Sequence, residues 1–91
     1  MIKIYFDNTS VFFEFEGAWL GTMLYIGNNK FYLKYKSGDG VEDDCLCMAY
    51  SYLEAIIHCL DEIGAKDDRI KRACKMTQQM ITRGGEINSN Y

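Results

Sequence analysis

Apolar and polar residues alternate through the first half of the chain and recur at three- and four-residue intervals through the second, so strands are expected first and helices after them. Residues 2–6 are rich in β-formers and run into Asp7-Asn8-Thr9-Ser10, whose short polar side chains favour a turn. In 11–16, Val11, Phe13 and Phe15 fall on one face and Phe12, Glu14 and Glu16 on the other, which should meet solvent. After Gly17, residues 18–26 set Trp19, Gly21, Met23 and Tyr25 against Leu20, Thr22, Leu24 and Ile26. Both faces of that strand are apolar, as expected of a central strand or one covered on both sides, and Gly21 suits a bulge or a close backbone approach.

Gly27-Asn28-Asn29 has the residues that accept positive φ in a tight hairpin, and in 31–36 Phe31, Leu33 and Tyr35 face inward while Tyr32, Lys34 and Lys36 face outward. A further turn is expected at Ser37-Gly38-Asp39-Gly40. Residues 41–47 read either as a fifth strand or as a loop, since Glu42-Asp43-Asp44 is poor strand material.

The clearest helix follows. Ser51 stands three residues before Glu54, the capping-box spacing in which the Ser hydroxyl accepts from the N3 amide and the Glu reaches back to the Ser amide. Leu53, Ile56, Ile57, Leu60 and Ile63 form its apolar face, Tyr52 and Cys59 lie at the margins, and Gly64 marks the stop. After a short connection, Asp67 or Asp68 is expected to cap a second helix with the stripe Ile70, Ala73, Cys74, Thr77, Met80 and Ile81, ended by Gly84-Gly85. So short a link implies antiparallel helices. The expectation is one α+β domain over 1–85, with four or five antiparallel strands built from β-hairpins and two antiparallel helices packed on one face, then a flexible polar tail at 86–91.

Composition adds limits to this picture. The 91 residues, 48% of them apolar, suffice for one modest core. No apolar run is long enough to cross a bilayer and MIKIYFDN lacks the features of a secretory signal, so a cytoplasmic protein with no membrane association is expected. The net charge is only −3, but it is unevenly spread. Between Asp39 and Glu62 stand Asp39, Glu42, Asp43, Asp44, Glu54, Asp61 and Glu62 with no Lys or Arg, whereas the second helix carries Lys66, Arg69, Lys71, Arg72, Lys75 and Arg83. These blocks either satisfy each other as solvated surfaces or steer the protein to a partner of opposite charge.

Catalytic chemistry finds little support. Cys45 and Cys47 point the same way if their segment is a strand, and Cys59 and Cys74, one from each helix, are candidates to converge on them. The set nonetheless lacks the C-x2-C knuckles of a zinc site and suits buried core thiols, so no metal and no cofactor are expected. His58 is the only histidine, flanked by Glu54, Asp61 and Glu62, and adjacent Cys59 is rotated about 100° away around the helix, too far for a Cys–His pair. No glycine loop cradles phosphate. An enzyme is therefore not expected.

By elimination the chain reads as a small binding protein acting through protein–protein contact, with Glu42, Asp43, Asp44, Asp61, Glu62 and Tyr32 as the partner-binding set. Its size and composition resemble those of accessory proteins of phages and mobile elements that inhibit host nucleic-acid-handling complexes, the anti-CRISPR proteins among them, whose acidic surface would occupy a basic groove. One alternative is a nucleic-acid-binding module using Lys34, Lys36, Arg69, Arg72 and Lys75. Another is a structural, self-assembling homo-oligomer joined through strand edges.

Overall fold

Five strands and two helices follow one another in a computed structural model that describes residues 1–36 and 40–84: β1 Lys3–Asp7, β2 Ser10–Phe15, β3 Ala18–Gly27, β4 Lys30–Lys36, β5 Glu42–Met48, α1 Tyr52–Gly64 and α2 Asp68–Gly84. Residues 37–39 of the expected turn, Asp39 of the acidic block, Gly85 and the expected 86–91 tail lie outside the described residues. The strands form one antiparallel meander in the order β1-β2-β3-β4-β5, so the fold is α+β with the helices after the sheet. The stretch with two readings, 41–47, is strand. Lys36 lies opposite Glu42 and Lys34 opposite Asp44, so β4 neutralises the acids that make β5 poor strand material by itself.

Turn chemistry sets the register. Asn28 and Asn29, at φ 55° and 58°, form a two-residue loop of the type I′ class whose twist matches the flanking strands. Glu16 departs from the alternation: β2 ends at Phe15, and Glu16 joins Gly17 in the next turn at φ 53° and 82° instead of extending a strand face.

A second departure lies in β3. The pairing slips between Phe13 and Glu14, which oppose Gly21 and Trp19, so Leu20 is the extra residue of a bulge. Below the bulge the parity inverts. Leu20 is buried with Gly21 and Met23, while Trp19 moves to the opposite face beside Thr22, whose Oγ1 accepts from its indole N–H at 2.8 Å. Gly21 also answers a steric need, since a Cβ there would stand 3.1 Å from both the Lys34 carbonyl oxygen and the Tyr35 Cβ and 3.4 Å from the Ile63 Cδ1.

One sheet face is covered. Ile4, Val11, Phe13, Met23, Phe31, Leu33 and Tyr35 form one buried cluster with Ile56, Cys59, Leu60 and Ile63 of α1, and α1 lies over β3, β4 and β5. The apolar face of α1 is rotated from the expected stripe: Cys59 is central, while Leu53 and Ile57 are only half-buried. Tyr52 closes one end of this layer, its ring edge-on to Phe31 at 5.1 Å and tilted against Phe6 and Tyr25.

The caps differ in detail from the sequence reading. Ser51 Oγ accepts from the Glu54 N–H at 3.1 Å, but the Glu54 carboxylate accepts from Tyr50 N–H instead of from Ser51. Asp67, not Asp68, caps α2 by accepting from the amides of Arg69 and Ile70. Gly64 has ordinary helical backbone and is required by proximity: a Cβ there would lie 2.9 Å from the Lys71 Cα, so the two helices touch at this residue. In α2, Ala73, Cys74, Thr77 and Ile81 are buried and Ile70 is half-buried, but Met80 is 53% exposed and leaves the stripe. Thr77 Oγ1 accepts from the Ile2 N–H at 2.9 Å and donates to the Ala73 carbonyl, fixing α2 against the β1 side of the sheet. At the neighbouring turn Arg69 bonds to Glu16 and covers the Phe15 ring.

Candidate protein-docking face

Among the described residues no helix covers the other sheet face, and the register defines it row by row. Tyr5, Phe12, Thr22, Lys34 and Asp44 form one cross-strand row; Asp7, Ser10, Leu24, Tyr32 and Leu46 form the next. Lys30 and Met48 follow at one end, and Lys36 with Glu42 at the other.

Aromatic rings on this face are held by their neighbours. Tyr5 stacks on Phe12 at 5.3 Å between centroids, with the Lys3 Nζ 5.4 Å from the Tyr5 ring. The Tyr5 hydroxyl donates to Glu14 at 2.6 Å, and the Tyr32 hydroxyl donates to Asp44 at 2.7 Å. These hydrogen bonds are the main reason both phenols have pKa values above the ordinary one, because ionisation would set a phenolate against a carboxylate. Lys34 pairs with Glu42 at 3.6 Å, both side chains 56% exposed, a pair that adds little stability.

Exposed apolar residues gather at one end of the face. Leu24 is 37% exposed, Ile26 51%, Leu46 62% and Met48 68%, and Leu24, Tyr32 and Leu46 are direct cross-strand neighbours. Isolated exposed apolar residues are ordinary, whereas a contiguous group on one surface marks a contact site.

The expected partner-binding acids are thus divided. Glu42 and Asp44 share the open face with Tyr32, Lys34 and Lys36. Asp43 has the opposite parity, opposite Tyr35, whose hydroxyl donates to Glu62 of α1 at 3.5 Å. Burial first, then Asp43 and Glu62, push the Tyr35 pKa up to about 12. Asp61 lies at the seam of the two helices and accepts from the Gln78 amide at 2.8 Å. The alternative basic set is divided too: Lys34 and Lys36 belong to the open face, whereas Arg69, Arg72 and Lys75 are on α2, behind the sheet.

Leu24, Leu46 and Met48, and the side of the sheet that Trp19 takes, did not follow from the sequence reading. Leu46 and Met48 alternate with Cys45 and Cys47, so their shared face was readable once residues 41–47 were taken as strand.

Cys45 and Cys47 turn toward α1, where they and Cys59 adjoin an open hollow of about 310 Å³ also lined by His58 and Glu62. Cys74 lies elsewhere, against Gly64. Burial pushes the Cys45 thiol up to about 11 and the Cys74 thiol up to about 12, and it raises Cys47 and Cys59 as well. Protonated thiols of this kind are weak nucleophiles near neutral pH. The four cysteines are free, and among the described residues no group of three or more His, Cys, Asp or Glu side chains is arranged to hold a metal ion. Among the described residues, too, no helix is long and apolar enough to cross a membrane. No family model, curated protein or solved structure matches the chain.

Proposed function

We propose that this chain is a non-enzymatic binding protein that docks a protein partner on the open sheet face, through the β3–β5 end and its acidic margin. The observation that carries the reading is the contiguous row in which exposed Leu24 and Leu46 flank half-buried Tyr32, with exposed Met48 beside it. Aromatic and large aliphatic side chains of this kind supply the desolvated centre of an interface, and surrounding charges set its rate and specificity. Glu42 and Asp44 adjoin that centre on the open side of β5 and Asp43 lies on the strand's other side, which favours a partner with basic groups around an apolar contact.

Charge balance favours protein over nucleic acid on this face. Lys3, Lys30, Lys34 and Lys36 are matched by Asp7, Glu14, Glu42 and Asp44, and two of those carboxylates hold the hydroxyls of Tyr5 and Tyr32, the rings on which bases would stack. A phosphate backbone gains no net attraction there. In its narrower form the proposal is an inhibitor of anti-CRISPR type, occupying a basic groove of a host nucleic-acid-handling complex.

The test is affinity capture from host lysate with tagged protein, with and without nuclease, eluted on a salt gradient. The expected result is a nuclease-resistant partner released by salt. It should be lost when Leu46 and Met48 are both changed to Ser, and released at lower salt when Glu42→Gln, Asp43→Asn and Asp44→Asn are combined. Capture that requires intact nucleic acid, or a partner indifferent to both variants, overturns the proposal.

A further inference from the structure

The outer edge of β5 differs from that of β1, and the difference concerns backbone as well as charge. Among the described residues β5 pairs with β4 alone. Ala49 N–H donates to the Asn29 carbonyl at 2.9 Å, in step with the ladder, whereas Asp44 N–H donates to the Asp43 side chain at 2.8 Å and so points away from β4. In an antiparallel pair the residues of one parity exchange both backbone bonds with the neighbour and those of the other parity direct theirs outward. Glu42, Asp44, Leu46 and Met48 therefore present their amides and carbonyls along the free edge. At Asp44 the amide is covered by a side chain that can swing away.

Acidic residues flank this edge on both sheet faces: Glu42 and Asp44 on the open side, where Lys36 and Lys34 of β4 stand opposite them, and Asp43 with Glu62 of α1 on the covered side, where the acidic excess lies. No Lys or Arg occurs between Asp39 and Glu62. The other edge strand, β1, carries Lys3 and Asp7 and offers no net charge.

We infer that the free edge of β5 accepts an extended basic segment of a protein partner as a sixth strand. Main-chain bonds to Leu46 and Met48 hold the segment, and its alternate side chains reach Glu42 and Asp44 on one face and Asp43 and Glu62 on the other. This rests on the protein-docking reading and names the mode of capture.

A capped peptide repeating Lys-Lys-Val-Val, which puts Lys on both sheet faces and is about as long as β5, is the probe, with its affinity and the backbone amide exchange of the intact chain as readouts. Exchange at Leu46 and Met48 should slow on binding while Cys45 and Cys47, already within the ladder, change little. Methylating the peptide amides should weaken binding by about tenfold or more, as expected when at least two hydrogen bonds are lost. Replacing its Lys residues by Glu should abolish binding. Failure of the peptide to bind, equal binding of the methylated or Glu peptide, or unchanged exchange at Leu46 and Met48 overturns strand addition. The lysate capture judges the docking proposal separately: a salt-released partner lost from the Leu46/Met48 variant keeps that proposal alive even if strand addition fails.

Discussion

The two faces of this sheet are made by the same strands and have opposite fates. On the covered face, Val11, Phe13, Met23 and Leu33 show no exposed surface and meet α1. On the open face the matching positions are Phe12, Thr22, Leu24, Tyr32 and Lys34, several of them apolar or aromatic yet without a layer above them among the described residues. Apolar surface removed from water is the main stabilising contribution in such a domain. The covered face therefore holds the fold together, and the open face is available for contact. The comparison separates residues whose loss should unfold the chain from residues whose loss should leave it folded and unable to bind.

The sharpest test of the covered face is Leu60→Ala. Leu60 has no exposed surface beneath the sheet, and truncation should cost roughly 2–5 kcal/mol, read from the urea midpoint. A loss below about 1 kcal/mol, close to the scale of a surface effect, would mean that α1 is not the keystone of the core. Next comes Gly64→Ala. Helix propensity alone favours Ala by about 1 kcal/mol, but the added Cβ would meet the Lys71 Cα at 2.9 Å, so a net loss of about 1–3 kcal/mol is expected from overpacking. Stabilisation instead would show that the helices can separate freely.

Smaller again is an alkaline effect, largest on the covered side. Burial raises Cys45 to about 11 and Cys74 to about 12 from 9.0, and Tyr35 to about 12 from 10.0. Each group binds its proton more tightly folded than unfolded, so its contribution is complete below the unfolded value. It declines as pH rises from about 9, and is lost through the folded values near 11–12. Urea melts at stepped pH should show this decline, and Cys74→Ala should flatten it; parallel profiles would remove Cys74 from the account. The smallest stability change belongs to the open face, where Leu46→Ser with Met48→Ser should stay within about 0.5 kcal/mol per substitution while abolishing partner capture. A large drop in melting temperature would make those residues structural.

Much of the fold was legible in the sequence because local rules sufficed. The alternation of Val11 and Phe13, and of Phe31, Leu33 and Tyr35, survives on the covered face, and Asn28-Asn29 sets the hairpin as its residue types require. The exceptions are places where a tertiary constraint overrides local pattern. Strict alternation cannot reveal that Leu20 is an extra residue, so it assigned Trp19 to the wrong face. A glutamate carries no signal for the φ of 53° that Glu16 adopts. Met80 fits helical periodicity but projects beyond the surface that α1 and the sheet cover, and is 53% exposed. The docking face was hidden for a related reason: which face the helices choose depends on packing between distant segments, and Leu46 and Met48 gain meaning only after that choice.

The bond from Ile2 N–H to the Thr77 hydroxyl has a consequence for synthesis. Every strand pairs with its sequence neighbour, so the meander can zip as it leaves the ribosome. The site that anchors its first edge is not translated until α2 is nearly complete. Until then Ile2 and Ile4, which are buried in the finished domain, await the last element that shelters them. The interval before α2 emerges is thus the stage at which a nascent chain would be most exposed to chaperones and proteases.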